Sequence, residues 1–374
     1  MSLVTNTSSQ KKRKIVELVL TERCNLSCVY CFEHDKDTLR MSLDIAKNAI
    51  EEAFNNNSYD EVEIDFFGGE PFADFKNMKH ICEWIWQKQW PKPFIVFATT
   101  NGTMVHGAIK DWVHKNSHRF ILGVSIDGTP DMHNLNRNNS FAQIDLNFFS
   151  SLWPFQSAKM TISRLTIPNL ADGVIYLHKH GFKVSCNNAY GITWEEEDYP
   201  IFAEQLKKLA DFYIDNPNIE PCSIITMPIQ NTAFDHVLQK WCGAGTNMIC
   251  IDRTGTKYPC HTFMPSSSGN SVKLDDMFAL LESDKLLDTN CQGCVLAPSC
   301  PTCYGINYVE TSDITKRNKS HCIFSKIRAK ATAYMLSTML INRDREYYYL
   351  KEKTDSDIHY LINGIRIIDE SINI

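Results

Sequence analysis

Three cysteines near the amino terminus have a spacing that indicates chemistry. They are Cys24, Cys28 and Cys31, with three residues in the first gap and two in the second. Three thiolates on one short loop can each bind one iron of a four-iron cluster, which leaves the fourth iron without a protein ligand. A substrate or a cofactor can coordinate such an open iron. A structural zinc ion would need a fourth protein ligand, and His34 is the nearby candidate.

The carboxyl-terminal half of the chain contains a second group of closely spaced cysteines. Two Cys-x2-Cys pairs stand there with five residues between them. Read alone, two such pairs would favour a zinc ribbon. The surrounding sequence has little apolar periodicity, and a segment of that kind needs a bound metal for stability. The eight cysteines are Cys242, Cys250, Cys260, Cys291, Cys294, Cys300, Cys303 and Cys322. Three others, Cys82, Cys186 and Cys222, lie outside every motif and are expected to pack in the core.

The cellular compartment decides between metal ligation and disulfides for these 14 cysteines. The basic run at 11–14 precedes only a short apolar stretch at 15–20, which does not match a signal peptide. No apolar segment of the sequence is long enough to cross a bilayer. We therefore expect a cytoplasmic protein with no membrane partner, and disulfides are rare in that compartment. The net charge of −6 argues against a nucleic-acid partner.

Alternating strands and helices are predicted to position these residues. Strand-like apolar segments occur at 15–20, 62–67, 94–99, 120–126, 159–166 and 183–187. Helical patterns follow them at 43–54, 75–89, 107–115, 141–152, 170–180 and 199–212. This alternation predicts a parallel sheet with right-handed crossovers. Six units are too few for a closed eight-stranded barrel, so the expected fold class is α/β, a partial (β/α)6 TIM barrel.

Polar residues follow the first five predicted strands, at the point where each strand ends. The carboxyl ends of parallel strands meet at one rim of a barrel, where barrel enzymes place their active sites. We therefore expect these residues to form one site. They are the three cysteines after the first strand, 68–71 after the second, 99–102 at the third, 125–128 at the fourth and Arg164 at the fifth.

The first cysteine motif has an aromatic residue, Tyr30, before its last cysteine, and Gly-Gly-Glu-Pro follows at 68–71. Together these features resemble the signature of the radical S-adenosylmethionine superfamily. The resemblance implies that a [4Fe-4S] cluster binds S-adenosylmethionine through its open iron. Reductive cleavage of this cofactor then yields a 5'-deoxyadenosyl radical that takes hydrogen from the substrate. An electron donor such as flavodoxin or ferredoxin is implied as a partner.

The same resemblance implies which residues bind S-adenosylmethionine. For Arg164 two alternatives stay open, a charge-assisted pair with the methionine carboxylate and a structural salt bridge. The implied residues are Tyr30, Gly68, Gly69, Glu70, Pro71, Thr100, Asn101, Ser125, Arg137 and Arg164.

The second cysteine group resembles the SPASM extension of the superfamily, which carries two auxiliary four-iron clusters. In this chain Cys242 is followed after 12 residues by Gly255 and after four more by Cys260. The chain has Cys-x2-Cys at Cys300 and Cys303, whereas the family commonly has Cys-x3-Cys. Three [4Fe-4S] clusters are therefore implied in all. The outer auxiliary cluster would bind Cys291, Cys294, Cys300 and Cys322, and the inner one Cys242, Cys260 and Cys303.

Cys250 is the natural fourth ligand of the inner cluster if it faces the same way as Cys260. A two-residue turn at Thr254 and Gly255 would put the two thiols on opposite faces of the hairpin, whereas a three-residue loop at 253–255 would put them on one face. We favour ligation by Cys250. The alternative is an inner cluster with an open iron, to which a substrate thiolate can bind.

These patterns divide the chain into five parts. Residues 1–14 form an N-terminal extension, 15–215 the radical S-adenosylmethionine barrel, and 216–240 a linker. Residues 241–325 form a small cysteine-rich SPASM domain, and 326–374 a C-terminal helical extension. A helical pattern at 323–341 spans the last boundary, and the tail after it is expected to pack as a helix on the barrel, with binding of a partner as the alternative.

Two branches of the superfamily compete, and both act on a peptide or protein. The segments 125–128 and 133–137 resemble anaerobic sulfatase-maturing enzymes, which form formylglycine. That branch, however, has an aspartate where this chain has His261, and a glutamine where it has Thr99. The run 303–307, Cys-Tyr-Gly-Ile-Asn, resembles maturases of ribosomally synthesised peptides. Many of those have a leader-binding domain, and only about 14 residues precede the first strand here. We favour peptide maturation by thioether or carbon–carbon crosslinking, with sulfatase maturation as the alternative.

His261 and Asp127 are the candidate catalytic residues. A histidine can accept a proton near neutral pH, and the alternative for His261 is a hydrogen-bonded role near the cluster. A function of another class is a non-catalytic iron–sulfur or zinc-binding module. The open-cluster loop and the Gly-Gly-Glu-Pro turn argue against such a module, because a scaffold needs no cofactor site.

Overall fold

The computed structural model describes residues 11–34, 36–234, 240–269, 273–282, 286–342 and 345–372. Most of the N-terminal extension expected at 1–14 lies outside the described residues, as do 235–239 of the expected linker. The same holds for 270–272 and 283–285 of the expected SPASM domain, and for 343–344 and 373–374 of the C-terminal extension.

Parallel strands form the framework of the amino-terminal part. Strands β1 to β4 pair in chain order, and β5 pairs with β6. A parallel bridge between Ser125 and Lys159 connects the two groups. Each strand lies where the sequence predicts one, with its ends shifted by a few residues. The strands are β1 (Arg13–Thr21), β2 (Glu61–Gly68), β3 (Phe94–Thr100), β4 (Ile121–Val124), β5 (Ser157–Ile162) and β6 (Lys183–Asn188).

Helices follow each of these strands. One of them, α4, is not predicted from the sequence, and it begins at Pro130 because the Thr129 side chain accepts from Met132 N. The helix predicted at 141–152 is split, because the Asp145 side chain caps a new helix by accepting from Phe148 N. The helices are α1 (Leu43–Asn55), α2 (Phe75–Gln87), α3 (Gly107–Asn116), α4 (Pro130–Asn136), α5 (Leu146–Leu152), α6 (Leu170–Lys179) and α7 (Asp198–Asp215).

The main core lies between the sheet and these helices. Successive residues of a strand point to opposite faces of its sheet. In β1, Val16, Leu18 and Leu20 are fully buried in the main core. Val19 belongs to a second apolar cluster, and Glu17, on the same face as Val19, is 1% exposed. The sheet is therefore covered on both faces at β1, and the second covering comes from the carboxyl-terminal half of the chain.

The carboxyl-terminal half joins the sheet directly. Strand β7 (Met248–Ile251) pairs in parallel with β1, and β8 (Lys257–Tyr258) pairs antiparallel with β7. The six-stranded sheet has the order β4-β3-β2-β1-β7-β8. Three helices follow, α8 (Pro265–Ser268), α9 (Leu274–Glu282) and α10 (Tyr304–Thr311). The cysteine-rich region is thus attached to the first strand by main-chain hydrogen bonds.

Two longer helices end the described chain. Helix α11 (Lys319–Ile341) begins one turn before the predicted pattern, because the Asn318 side chain caps it by accepting from Ser320 N. Helix α12 (Asp355–Ser371) begins with a capping box between Thr354 and Asp357. Helix α11 packs against α7, and α12 packs against α11 and the 3-10 helix Ile229–Ala233. Among the described helices, none combines the length and the apolar character needed to cross a membrane.

Candidate active site

One cavity of about 310 Å³ lies at the carboxyl ends of the parallel strands. This volume falls within the range of small-molecule sites. Eight of the ten residues expected to bind S-adenosylmethionine line the cavity, together with the three cysteines of the first motif. The eight are Tyr30, Gly68, Gly69, Glu70, Thr100, Asn101, Ser125 and Arg137.

The first cysteine motif occupies a loop that the protein holds from several sides. Val29 N donates to the Asn136 carbonyl oxygen at 3.0 Å, which ties the loop to α4. The Lys36 ammonium lies 3.2 Å from Cys31 Sγ. Burial raises the pKa of the Cys28 thiol to about 11. Because the thiolate is the form that binds iron, a buried loop of this kind needs positive charge, which a cluster and Lys36 can supply.

Two glycines permit the close approach of β2 to the cysteine loop. Gly68 has φ +141°, and a Cβ atom there would lie 2.1 Å from the Thr21 carbonyl oxygen. A Cβ atom on Gly69 would lie 2.3 Å from the Glu22 carbonyl oxygen. Any side chain would therefore push β2 away from the backbone that leads into Cys24. This cradle matches the glycine pair that the sequence predicts for a cofactor site.

The Glu70 carboxylate connects the end of β2 to the end of β3. It accepts from Thr100 Oγ1 at 2.8 Å, from Asn101 N at 2.7 Å and from Phe72 N at 3.1 Å. Burial raises the pKa of this carboxyl group to about 7. Glu70 therefore holds the Thr100 and Asn101 turn in place on the cavity wall.

Asp127 is the centre of a buried hydrogen-bond network. Its oxygens accept from Tyr30 Oη at 2.6 Å, Arg137 Nε at 2.9 Å and Asn136 Nδ2 at 3.1 Å. They also accept from Thr161 N at 2.9 Å. Asp127 itself is fully buried and does not line the cavity. Its contacts fit a role in orienting Tyr30 and Arg137 toward the cavity.

Two expected cofactor residues lie away from the cavity lining. Arg164 pairs with Asp198 at 2.7 Å and with Glu195 at 3.7 Å, which is the structural salt bridge that the sequence left as an alternative. Pro71 is buried in the 3-10 helix Pro71–Asp74. Its fixed φ suits the first turn of a helix, so Pro71 shapes the turn after Glu70.

His261 lies beside the cavity and against strand β1. Its Nδ1 is 2.8 Å from Glu17 Oε1. Its ring stacks on Phe67 at 4.2 Å and lies 5.7 Å from Phe32. Phe32 and Phe67 line the cavity, whereas His261 does not. Burial lowers the pKa of His261, but the carboxylates of Glu17, Glu33 and Asp65 together outweigh burial and raise it above its ordinary value. These contacts fit the hydrogen-bonded alternative.

The hairpin of β7 and β8 has the three-residue loop. Cys250 lies opposite Tyr258 and Ile251 opposite Lys257, and Asp252 N donates to the Thr256 carbonyl oxygen at 3.0 Å. The loop is therefore 253–255. With this register Cys250 and Cys260 share one face, and both are buried.

The auxiliary cysteines fall into two groups of electrostatic neighbours. Cys260 interacts with Cys303 and Cys250, and Cys303 interacts with Cys242. Separately, Cys291 interacts with Cys294 and Cys300, and so does Cys322. The short spacing of Cys300 and Cys303 thus still places these two thiols in different groups. We call Cys291, Cys294, Cys300 and Cys322 the outer set, and Cys242, Cys250, Cys260 and Cys303 the inner set.

The separation of these thiols matters for the kind of metal centre. In the part of the chain that the structure describes, no three cysteine, histidine or acidic side chains converge tightly enough to bind one metal ion. A four-iron cluster holds each thiolate on a different iron, so its ligands stand farther apart than those of a zinc ion. The donor set, all thiols in two groups of four, fits clusters better than single ions.

Several lining residues are not predicted from the sequence. Lys36 and Phe32 follow the cysteine loop, Thr161 is on β5, and 187–190 span the end of β6. The position of 187–190 at the end of the sixth predicted strand is the same signal that identified the other five strand ends. Lys36 has no such signal, because its contact with Cys31 depends on how the loop folds.

Comparisons with known proteins agree with this site. Residues 14–146 match a family model described as a 4Fe-4S single cluster domain. A cysteine-type anaerobic sulfatase-maturating enzyme of Clostridium perfringens is 26% identical over 281 residues, which cover 64% of this chain and 72% of that enzyme. The radical SAM cyclopropyl synthase TigE of Paramaledivibacter caminithermalis is 20% identical over 369 residues, which cover 84% of this chain and 72% of TigE.

Two further comparisons have narrower scope. An uncharacterized protein of Methanocaldococcus jannaschii is 32% identical over 112 residues, which cover 30% of this chain and only 37% of that protein. The solved structure of native anSMEcpe with bound AdoMet and Kp18Cys peptide matches this chain with a TM-score of 0.66 at 17% sequence identity. The match covers 89% of this chain and 100% of the anSMEcpe chain, so the two proteins share the fold. With the cysteine loop and the glycine turn on one cavity, these matches show that the chain resembles radical S-adenosylmethionine proteins of the SPASM type.

Proposed function

We propose that this chain is an enzyme that uses S-adenosylmethionine to abstract hydrogen from a peptide substrate. When bound, a [4Fe-4S] cluster on Cys24, Cys28 and Cys31 supplies the electron that cleaves S-adenosylmethionine to methionine and a 5'-deoxyadenosyl radical. The observation that supports this best is the convergence of those three thiols with the glycine turn on one cavity. Partial-barrel geometry over 15–215 would account for it, since the strand ends then face a common opening.

The protein's own residues would bind and orient the cofactor. Gly68 and Gly69 leave room for its methionine end beside the cysteine loop, and Glu70 holds the Thr100 and Asn101 turn. Arg137 is the cavity-lining guanidinium, fixed by Asp127, so we assign to it the contact with the methionine carboxylate. Phe32 and Phe67 give the cavity an apolar wall that excludes water from the reacting atoms.

The outer and inner sets would each bind one further [4Fe-4S] cluster, making three in all. Residues 241–325 then form the SPASM domain, and the inner set includes Cys250 as its fourth thiolate. Four thiolates would saturate each auxiliary cluster. The electron donor, of the flavodoxin or ferredoxin class, is a partner expected from the reaction.

We propose maturation of a ribosomally synthesised peptide as the reaction, forming a thioether or carbon–carbon link. The segment 133–137 resembles the sulfatase-maturing branch, but its residues His133 and Arg137 contribute to the hydrogen-bond network around Asp127. Their presence is therefore explained by that network and does not identify the substrate. His261 stands where that branch has an aspartate. Its Nδ1 is already engaged by Glu17, and we assign it a role in orienting the wall of the cavity.

Sulfatase maturation stays the second candidate. The similarity to the Clostridium perfringens enzyme covers 64% of this chain, and the structure of anSMEcpe with a bound peptide shares the fold. The two candidates differ in substrate. Incubation with a cysteine-containing sulfatase peptide and, separately, with short peptides encoded beside this gene would distinguish them, with mass loss of two hydrogens as the readout for a new crosslink.

Reconstitution under anaerobic conditions tests the enzyme class. The protein, loaded with iron and sulfide and given a strong reductant, should convert S-adenosylmethionine to 5'-deoxyadenosine. The variant Cys24→Ala/Cys28→Ala/Cys31→Ala should form none, whereas Cys82→Ala, which changes a buried cysteine outside the site, should keep activity. Well-formed clusters without 5'-deoxyadenosine in the unaltered protein would favour a non-catalytic iron–sulfur module.

A further inference from the structure

Arg317 is held against the outer set by contacts at both ends of the residue. Its Nη1 donates to the sulfur of Cys300, and its Nη2 donates to the Cys300 carbonyl oxygen at 2.8 Å. Its main-chain nitrogen donates to Asp288 Oδ2 at 2.9 Å. Asn318, the cap of α11, follows directly. The guanidinium therefore has a fixed direction, toward the thiol.

The positive charge of Arg317 reaches most of the outer set. Cys291 and Cys322 both interact electrostatically with the guanidinium of Arg317. Lys326 acts in the same sense at Cys322. Cys322 is also exposed to solvent. The outer set thus has a cation in contact, a second cation nearby and one exposed member.

The inner set has a different environment, although its member Cys242 is also exposed. Cys250 and Cys260 are both buried, and Glu17 lies directly opposite Cys250 where β1 pairs with β7. The carboxylates of Glu17 and Asp252 both interact electrostatically with Cys250. Lys240 is near this set, but its ammonium donates to main-chain carbonyl oxygens. The buried thiols of the inner set therefore have carboxylates as neighbours, whereas the outer set has a guanidinium in contact with a thiol.

These two environments have a direct consequence for iron–sulfur chemistry. The reduction potential of a cluster depends on net charge, on hydrogen bonds to its sulfurs and on solvent exposure. Reduction adds negative charge, which a guanidinium stabilises and a buried carboxylate opposes. We propose that Arg317 is a positioning residue that gives the outer set the higher reduction potential of the two auxiliary sites. The inference rests on the proposed function, in which each set binds a cluster.

The two auxiliary sites then differ in reduction potential. An electron on the inner site is favoured to move to the outer site, because the outer site is more easily reduced. Arg317 thereby favours electron transfer from the inner set to the outer set.

The experiment is a redox titration followed by electron paramagnetic resonance. Each protein carries the changes Cys24→Ala, Cys28→Ala and Cys31→Ala, so that only the auxiliary sites contribute. Arg317→Met removes the charge and the hydrogen bonds, whereas Arg317→Lys keeps the charge. Lys316→Met is the matched control, because it removes the same charge from an exposed neighbouring side chain.

In Arg317→Met, one midpoint should fall by the equivalent of at least tenfold in the reduced fraction, about 59 mV for a one-electron couple. The same midpoint potential should fall less in Arg317→Lys. Both midpoint potentials of Lys316→Met should match those of the parent protein. If Arg317→Met loses one cluster's iron, the shift in Arg317→Lys decides. Unchanged midpoints in both Arg317 variants with full iron content would overturn the proposal.

A separate measurement keeps this outcome distinct from the proposed function. The 5'-deoxyadenosine assay on protein with the first cysteine motif intact reports on the enzyme class alone. Absence of that product, with a clear Arg317-dependent midpoint, would refute the proposed function and leave the redox assignment in place. Product formation with unchanged midpoint potentials would support the proposed function and refute the role of Arg317.

Discussion

At the residue scale, the polar groups around the cavity are fixed mainly by one another. Tyr30 and Arg137 both bind Asp127, and Thr100 binds Glu70. Buried polar groups of this kind are costly unless every partner is present. The site is therefore organised before any ligand binds, which is the condition under which a cofactor is held in one orientation.

The cysteines and glycines of this site could be predicted from the sequence, whereas the network around Asp127 could not. Cys24, Cys28 and Cys31 are close in sequence, so their spacing alone indicates that the three thiols lie on one loop. The Tyr30 and Asp127 hydrogen bond joins residues 97 positions apart, and only the strand order brings them together. Lys36 was missed for a similar reason, since its ammonium reaches Cys31 across the fold of a loop.

Gly69→Ala should disrupt the cysteine loop. The added Cβ would lie 2.3 Å from the Glu22 carbonyl oxygen and 2.7 Å from the Arg23 carbonyl oxygen, so the backbone before Cys24 must move. We expect loss of about one cluster's iron and at least a tenfold loss of 5'-deoxyadenosine formation. Gly107→Ala is the control for a glycine outside the site: its φ of +48° disfavours alanine, but nothing lies within 4 Å of its Cβ position, so iron content and activity should be kept. Equal iron and activity in both variants would contradict the close-packed turn.

Deprotonation of the buried Glu70 carboxyl group should lower the free energy of unfolding as pH rises. Its pKa is about 7 in the folded protein, above the ordinary value near 4.5, so between these pH values the folded state keeps a proton that the unfolded state has lost. Stability therefore decreases over this range and levels off above pH 7. From pH 5.5 to 7.5 the loss amounts to about 2 kcal/mol. Anaerobic urea unfolding should show this loss in the unaltered protein and a smaller one in Glu70→Gln. The same loss in both would contradict the assignment.

At the element scale, local signals placed the strands and most helices but not every turn. The strands alternate with helices along the chain, and that alternation is visible in the apolar pattern. Helix α4 escaped prediction because it is only seven residues long, and its cap at Thr129 follows directly on the Asp127 turn. The β7 and β8 hairpin was ambiguous because two loop lengths suit the same residues. Main-chain pairing resolves it.

Cys250→Ala should remove the inner cluster. The three-residue loop puts Cys250 and Cys260 on one face, where both thiols can bind the same cluster. Iron analysis should show the loss of about four irons per chain, because a cluster with only three thiolates beside Glu17 is poorly stabilised. Cys222→Ala, a buried cysteine outside both sets, is the control. Full iron content in Cys250→Ala would instead support an inner cluster with an open iron.

At the scale of the whole molecule, the two halves of the chain share one sheet. Ile15 N donates to the Asn247 carbonyl oxygen at 2.7 Å, at the start of the pairing between β1 and β7. On the other side, Phe324 of α11 packs against Phe202 of α7 at 4.8 Å. The alternation of strands and helices predicts a partial barrel, and the cysteine spacing predicts a separate small domain. Neither pattern reveals that β7 lies beside β1.

This sharing predicts one cooperative unfolding transition. A chain ending at residue 215 would leave the edge of β1 unpaired and expose the face of α7 that α11 covers, and unpaired edges promote aggregation. A chain ending at Asn342 keeps β7, β8 and α11 and loses α12 and the segment before it, with the buried Tyr347, so it should stay folded with reduced stability. Tryptophan fluorescence and circular dichroism should give coincident urea transitions for the full chain. The chain ending at 215 should be aggregated or lack a cooperative transition. A soluble, cooperatively unfolding 1–215 fragment would show that this part of the chain folds alone, and that the pairing of β7 with β1 has little effect on stability.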